Sequence, residues 1–316
     1  MNATVRIRLL WFPQAQFAGP IVAAERGLAR HAGVEIVLQP VDFADPPVAA
    51  LLARRAEFAI ASPAHALESA DPEAIAFLAA VQQRTPLVYG ARRASGIATA
   101  RDLAGRRVAV WPGGEDLELR WLLARVCGSP DAAVRIPAND TVAALVSGDA
   151  DVAQMTTYHE LQEAEAALGH DGLALVRADE AGAGLLKDGL LVRRDFMAGH
   201  GAIVDAVVSA VLEGWTIAFD HPDAAVDACA RARPDMSREE HARQLADIRA
   251  LSIAGATVER GLGYPDPVHA ERAAAAMIET GHAPPRGTAD LVDAGPWSRA
   301  PAAFRRTAWA APEPAS

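Results

Sequence analysis

The residues best suited to binding a small molecule lie near the start of the chain. Trp11 and Phe17 offer flat ring faces for stacking, and Gln14 and Gln16 offer amide groups that both donate and accept hydrogen bonds. These residues follow a predicted strand over residues 5–10 and precede a predicted helix, and ligands of open α/β sheets bind at such strand ends. The pattern predicts a site for a flat polar ligand. The alternative is a buried Trp and Phe in a strand–helix corner.

Two further candidates, Ser62 and His65, follow the predicted strand over residues 57–61. The Ser62 hydroxyl or the start of the next helix would suit a polar or anionic group. The alternative is that Ser62 only caps this helix and that His65 is a structural histidine.

A second group of candidates follows the predicted strand over residues 107–111. Gly113 and Gly114 would let the backbone approach a ligand, and free N–H groups stand at the helix start beside Glu115. A tight turn is the alternative. The stretch is not a phosphate-binding loop of the Gly-Lys-Ser/Thr kind, because that ending is missing. Asp140 is expected to cap the helix that follows it.

Strands and helices alternate over the first part of the chain, which predicts an α/β fold with mainly parallel sheets. From residue 202 onward the pattern is helical. Two crossings near residues 91–95 and 186–190 predict two lobes with a cleft between them. Lobe I comprises residues 1–92 and 189–300, lobe II comprises 93–188, and 301–316 form a flexible tail rich in Ala and Pro.

Composition narrows the class of protein. The 316 residues are 51% hydrophobic and 22% charged, which is typical of a soluble globular protein, and the net charge is −10. This charge argues against a nucleic-acid partner, which needs clustered basic residues. Cys127 and Cys229 lack metal-type spacing and are expected to be core thiols. No uninterrupted run of about 18 apolar residues is present. We expect a monomer.

Four motifs carry a resemblance to a known family: Trp-x-Pro-x-x-x-Phe at 11–17, Glu-Phe-Ala-Ile-Ala-Ser at 57–62, Asp-Leu-x-Gly-Arg-Arg-Val-Ala at 102–109, and Ala-Ala-Leu-x-x-Gly-Asp-Ala-Asp-Val at 143–152. Over residues 5–280 the chain resembles solute-binding proteins of ABC importers related to thiamine-pyrimidine synthesis. Their superfamily also includes binding proteins for alkanesulfonates, nitrate and taurine, and a fungal enzyme that makes the thiamine pyrimidine.

The resemblance implies a two-lobed type II periplasmic-binding-protein fold with a hinged cleft. A small heteroaromatic ligand, a thiamine-precursor pyrimidine first, would be trapped there. By the same resemblance Tyr158 would stack opposite Trp11, and Glu160 would accept hydrogen bonds from an exocyclic amine. The alternative makes Glu160 a first-turn helix residue favoured by the helix dipole. Asp188, beside the expected hinge, would also face the cleft.

The enzymatic branch of the resemblance carries pyridoxal phosphate on a lysine after the third strand, with a histidine four residues later. Here His65 matches the histidine, but Ala61 stands at the lysine position, and the only lysine, Lys187, lies in the predicted crossover. We therefore expect no catalytic residues, no cofactor and no metal. The alternatives are an enzyme of thiamine-pyrimidine or related heteroaromatic metabolism on the same fold, a binding protein for sulfonates or other small anions, and a cytoplasmic ligand sensor.

Because the first predicted strand begins almost at Met1, we expect no signal peptide within this sequence. We expect a periplasmic or extracytoplasmic protein with an ABC permease as partner if a leader has been removed. Otherwise we expect a cytoplasmic protein.

Overall fold

The computed structural model describes residues 3–309, which form two compact units. Unit 1 comprises Met1–Gln83, Lys187–Ala270 and Arg286–Ser316, and unit 2 comprises Arg84–Leu186 and Glu271–Pro285. Each unit is built around one five-stranded sheet.

The strands of the described residues are β1 Ala3–Arg8, β2 Val34–Gln39, β3 Phe58–Ile60, β4 Ile75–Ala79, β5 Leu87–Arg92, β6 Arg107–Val110, β7 Val134–Pro137, β8 Val152–Thr156, β9 Leu173–Arg177 and β10 Leu190–Arg193. The α-helices are α1 Ala18–Arg26, α2 Pro47–Leu52, α3 Pro63–Leu67, α4 Leu117–Cys127, α5 Thr141–Ser147, α6 Glu160–Leu168, α7 Arg194–Gly199, α8 Gly201–Asp220, α9 Pro222–Ala232, α10 Arg238–Ser252, α11 Ala256–Arg260, α12 Val268–Glu279 and α13 Gly295–Arg299.

Both sheets have the same topology. The order is β2-β1-β3-β10-β4 in unit 1 and β7-β6-β8-β5-β9 in unit 2. In each sheet the fourth strand runs antiparallel to both of its neighbours. That strand is the first one formed after the chain enters the unit from the other: β5 on the way out and β10 on the return. As a result, the carboxyl ends of β1, β3 and β4 and the beginning of β10 gather at one edge of the unit 1 sheet.

The pattern of apolar residues in each unit 1 strand agrees with the burial of that strand in the sheet. β3 and β4 are apolar and buried at every residue, as expected for strands covered on both faces. β1 alternates instead, with Val5 and Ile7 in the core, while Arg6 forms a two-pronged ion pair with Glu57. This pairing lowers the pKa of the Glu57 carboxyl although burial opposes it. The strand therefore carries charge at the sheet face without leaving it unpaired.

Helices α1 and α8 pack unusually closely in unit 1. A Cβ atom at Gly19 would lie 2.2 Å from the Trp215 ring, and one at Gly214 would lie 2.1 Å from the Gly19 carbonyl oxygen. Within residues 3–309, α8 is the one helix that is long and apolar enough to cross a membrane by length and composition, and most of it is buried in the protein. Burial in the core therefore accounts for its apolar character.

The unit boundaries differ from the predicted lobes. β5 pairs with β8 and β9, so the outgoing boundary falls after Gln83 rather than after residue 92. The returning boundary precedes Lys187, and residues 271–285 join unit 2. The physical reason is antiparallel pairing between distant segments, which no local pattern encodes.

Residues 301–309, the described part of the predicted flexible tail, contact unit 1. The backbone N–H of Leu262 donates to the Arg306 carbonyl at 2.9 Å, and the Trp309 ring meets Phe219 edge-on at 5.4 Å. Aromatic and arginine side chains thus hold residues 301–309 against unit 1, despite the Ala and Pro around them. Residues 310–316 lie outside the described residues.

We expect Gly214→Ala to destabilise the protein by about 1–3 kcal/mol, because the added methyl group overpacks the α1–α8 contact. Chemical denaturation monitored by circular dichroism measures the loss. Gly201→Ala in the same helix is the control, since its Cβ would meet nothing within 4 Å. Equal stability of the two variants would show that the close helix approach does not limit stability.

Candidate functional site

Polar side chains converge at the carboxyl edge of the unit 1 sheet. Gln14 and Gln16 follow β1, Gln82 lies three residues after the end of β4, and Asp188 lies two residues before the start of β10. All four are buried, and buried polar groups are retained only where hydrogen bonds satisfy them or function requires them.

These side chains form one directed chain of hydrogen bonds, here called the amide relay. Arg233 donates to Gln14 Oε1 at 3.0 Å, Gln14 Nε2 donates to Gln16 Oε1 at 2.9 Å, and Gln16 Nε2 donates to Asp188 Oδ2 at 2.7 Å. Gln82 Nε2 donates to the same Oδ2 atom at 3.0 Å. Since a guanidinium only donates and a carboxylate only accepts, the two ends fix the orientation of every amide between them.

Aromatic rings stand beside the relay in unit 1. The half-buried Trp11 ring meets Phe12 edge-to-face at 5.6 Å and Phe43 at 5.4 Å. Phe12 is 41% exposed and Phe43 is 68% exposed. The Arg233 guanidinium lies 5.8 Å from the centre of the Phe12 ring. The relay and the aromatic rings therefore share one residue, Arg233, and together offer fixed polar groups beside stacking surface.

Local structure accounts for three of the predicted unit 1 residues. Ser62 Oγ accepts the backbone N–H of His65 at 3.1 Å, so Ser62 caps α3. The Ser62 N–H donates back to His65 Nδ1 at 3.3 Å, so the neutral imidazole carries its proton on Nε2. Phe17 is 1% exposed and lies in the core. A ligand contact by these residues stays a prediction.

In unit 2 the predicted glycine loop follows β6. Gly113 has φ +87° and Gly114 φ +86°, a conformation that glycine adopts without strain. Gln154 of β8 hydrogen-bonds to the backbone on both sides of the two glycines. Its Nε2 donates to the Glu115 carbonyl at 2.7 Å, and its Oε1 accepts from the Trp111 N–H at 3.3 Å. A Cβ at Gly113 would meet nothing within 4 Å. The loop is held firmly while one side of its backbone remains open.

Tyr158 and Glu160 follow β8, at the same edge of the unit 2 sheet as the glycine loop. Tyr158 is 1% exposed. Glu160 is the first residue of α6, and its Oε2 accepts the Thr156 N–H at 2.9 Å and the Thr156 hydroxyl. Glu160 therefore has the local role that the alternative assigns to it. Because Trp11 belongs to unit 1 and Tyr158 to unit 2, their shared stacking on one ligand stays a prediction.

Sequence reasoning missed a buried carboxylate in unit 2. Glu118 of α4 is 2% exposed, and its Oε2 accepts the Leu185 N–H at 2.7 Å. The hydroxyls of Tyr89 and Thr85 also hydrogen-bond to it. Burial raises the pKa of Glu118 to about 7, although these hydrogen bonds lower it. Thr85 and Leu185 stand next to the two points where the chain enters and leaves unit 2, so Glu118 ties both segments together.

Gln82 and Arg233 were also missed as members of the relay. Gln82 could have been found, since a glutamine three residues after the apolar strand β4 lies at the same sheet edge as the Trp11 loop. Arg233 follows α9 at a sequence distance of more than 200 residues from Gln14, and no local pattern links them.

Of the two predicted core thiols, Cys229 is buried, whereas Cys127 is only half-buried. Within residues 3–309, no group of His, Cys, Asp and Glu side chains could hold a metal ion. Burial, together with the nearby Glu25 charge, raises the pKa of the Cys229 thiol to about 12, which leaves it unreactive near neutral pH.

Comparison with known proteins identifies the fold and the family. A family model described as NMT1/THI5 like matches residues 14–225, about two thirds of the chain, and confirms the resemblance. No curated protein sequence matches this chain.

Solved structures share the fold at low identity. The ligand binding component of an ABC-type import system from Staphylococcus aureus has a TM-score of 0.70 and 14% identity, covering 95% of this chain and 99% of that chain. The periplasmic sulfonate-binding protein SsuA of a putative sulfonate ABC transporter from Methylobacillus flagellatus KT has a TM-score of 0.69 and 16% identity, covering 94% and 93%. The desulfurization enzyme DszB has a TM-score of 0.57 and 16% identity, covering 94% and 98%. The predicted α/β fold class of two-lobed periplasmic binding proteins is confirmed.

Glu118 makes a testable contribution to the pH dependence of stability. Its folded-state pKa of about 7 lies above the usual 4.5, so the native state binds more protons than the unfolded chain between these values. Its contribution to the unfolding free energy is therefore present at pH 4 to 5 and is lost as the pH rises to 7, by on the order of 3 kcal/mol. Glu118→Gln cannot titrate, yet its amide oxygen can still accept the Leu185 N–H.

We therefore expect the stability of wild type relative to Glu118→Gln to fall between pH 5 and pH 8. Urea unfolding of both proteins at several pH values measures the difference, in which all other titrating groups cancel. Parallel pH profiles would show that Glu118 keeps an ordinary pKa.

Proposed function

The chain belongs to the NMT1/THI5-like family, and from this premise we propose that it is the solute-binding protein of an ABC importer. The observation that carries the proposal is the amide relay beside Trp11, at the sheet edge where α/β proteins bind ligands. Solved structures with this fold include an ABC import component and a sulfonate-binding protein, which supports the same class of function.

The proposed ligand is a small heteroaromatic molecule, with a thiamine-precursor pyrimidine as the first candidate. The partly exposed Trp11 ring supplies a surface for a flat ring, and the oriented amides of Gln14 and Gln16 supply fixed hydrogen-bonding groups beside it. A ring with polar edges matches both features better than an alkyl chain would. A sulfonate or another small anion is the competing ligand, and Arg233 would be its natural partner.

In this proposal both units contribute to ligand binding. Unit 2 would provide the open backbone of the glycine loop, and Glu160 would accept from a ligand amine. A ligand that contacts both units favours the bound arrangement only by its differential affinity for that arrangement. We further propose a monomeric protein in an extracytoplasmic compartment that delivers its ligand to an ABC permease.

The second candidate is an enzyme acting on a related heteroaromatic or sulfur-containing compound. The fold likeness to DszB favours it. Against it, Ala61 stands where the pyridoxal-binding lysine of the enzymatic branch would be, and the Cys229 thiol is buried with a pKa of about 12. Product formation from the tightest-binding probe, followed by chromatography, would move the protein into the enzyme class.

We expect 4-amino-5-hydroxymethyl-2-methylpyrimidine to raise the melting temperature in a thermal-shift assay. A ligand at 100 times its dissociation constant stabilises the native state by about 2.7 kcal/mol. An alkanesulfonate and a flavin fragment serve as comparison probes. A shift with the sulfonate alone would transfer the assignment to anion binding, and the absence of any shift would contradict the proposed ligand classes.

We expect Trp11→Ala and Glu160→Ala each to weaken pyrimidine binding by about 1–3 kcal/mol, through lost stacking and a lost charge-assisted hydrogen bond. Isothermal titration calorimetry measures the affinities. Glu259→Ala, at an exposed position of α11, is the control for charge removal. Wild-type affinity in both site variants would place the ligand elsewhere.

A further inference from the structure

Gln82 is a member of the relay whose carbonyl oxygen takes no part in the relay. It follows β4 at the carboxyl edge of the unit 1 sheet and is 2% exposed. Its side-chain amide donates a hydrogen bond to Asp188, which lies at the same edge of the sheet. Position 82 lies outside the strands and helices, so neither a strand ladder nor a helix cap explains a buried glutamine there; its NH₂ group donates to the Asp188 carboxylate.

The orientation of the Gln82 amide is fixed. Gln82 Nε2 lies 3.0 Å from Asp188 Oδ2, and Gln16 Nε2 lies 2.7 Å from the same oxygen. Turning the Gln82 amide over would set its carbonyl oxygen against a carboxylate oxygen, which repels it. The NH₂ group therefore faces Asp188, and the carbonyl oxygen faces the other way.

That carbonyl oxygen, Gln82 Oε1, is buried and has no hydrogen-bond partner among residues 3–309. A buried acceptor without a partner destabilises a protein, so its retention calls for a reason. The hydrogen bond from the Gln82 NH₂ group to Asp188 fixes the position of this oxygen. Gln82 Oε1 is therefore a buried acceptor with a fixed orientation and with no donor among residues 3–309.

We propose that Gln82 Oε1 accepts a hydrogen bond from an N–H group of the bound ligand, so that Gln82 selects heteroaromatic ligands that carry an amine. This inference rests on the proposed function and deepens it by adding a specificity residue. A ligand with an N–H satisfies the buried oxygen. A ligand with a methyl group or an oxygen at that place leaves the oxygen unpaired or repels it, and such sites discriminate strongly between the two. Gln16 and Asp188 act as positioning residues, because they hold the Gln82 amide in one orientation.

The neighbouring residue Gln83 provides a matched control. It is also buried and its Oε1 also has no partner among the described residues, but its Nε2 donates to the carbonyls of Ala80 and Tyr264 and not to the relay. Gln82 and Gln83 are thus both buried glutamines in the same loop. They differ because Gln82 donates a hydrogen bond to Asp188 and Gln83 does not.

The experiment compares two probes by calorimetry: 4-amino-5-hydroxymethyl-2-methylpyrimidine, and its analogue with a methyl group in place of the amine. We expect wild type to bind the amino probe at least tenfold more tightly than the methyl probe. Gln82→Met should reduce this ratio to less than about threefold, whereas Gln83→Met should leave it unchanged. Melting curves without ligand verify that each variant is folded.

A second variant keeps the test decisive if Gln82→Met does not fold. Gln82→Leu also removes the acceptor oxygen and places an apolar group of similar volume beside Asp188, so it should lower the probe ratio as Gln82→Met does. An unchanged probe ratio in whichever of these two variants folds would overturn the inference while the binding function stands. If wild type binds neither pyrimidine, the proposed ligand and this inference fail together.

Discussion

The two hydrogen bonds that Asp188 Oδ2 accepts, from Gln16 and Gln82, are the constraint on which the unit 1 edge depends. They join the loop after β1, the loop after β4 and the start of β10 at one oxygen atom. A carboxylate can play this part because it accepts several hydrogen bonds and donates none, which leaves the surrounding amides a single orientation. The charge of Arg233 at the other end of the relay supports the same orientation, since the amide dipoles between the two charges all point the same way.

In unit 2 a different carboxyl group, that of Glu118, joins neighbouring segments by hydrogen bonds. Glu118 binds Thr85 and Leu185, the residues beside the two places where the chain enters and leaves the unit. Asp188 and Gln82 are similarly placed in unit 1. Each unit thus secures its connecting segments with its own buried acid. The shared topology explains this repetition, because in both sheets an antiparallel strand from a connecting segment is inserted between the third and last strands.

Much of the fold could be predicted from the sequence, because many element ends carry strong local signals. Asp140 caps α5 as predicted, since its carboxylate accepts the backbone N–H of Ala143 at 2.8 Å, and α5 ends before Gly148. The sheet that β5 joins could not be predicted, since its antiparallel partners are chosen by tertiary contacts. At the site, the Trp11 loop and its glutamines stood out as polar and aromatic residues after a strand. The relay did not stand out, because three of its four hydrogen bonds join residues that are 106 to 219 positions apart in the sequence.

The position of β10 has a consequence for how the protein is made. β10 lies between β3 and β4 and is the strand that joins them, yet it leaves the ribosome after all five strands of the unit 2 sheet. Until residue 193 has been synthesised, β4 has no neighbouring strand in the sheet, and the apolar helix α8 that covers α1 follows later still. The unit 2 sheet can therefore assemble before the unit 1 sheet is complete. During that time the edges of β3 and β4 are unpaired, and apolar surface of the first 83 residues is uncovered. Nascent chains in that state are the ones that chaperones protect from aggregation.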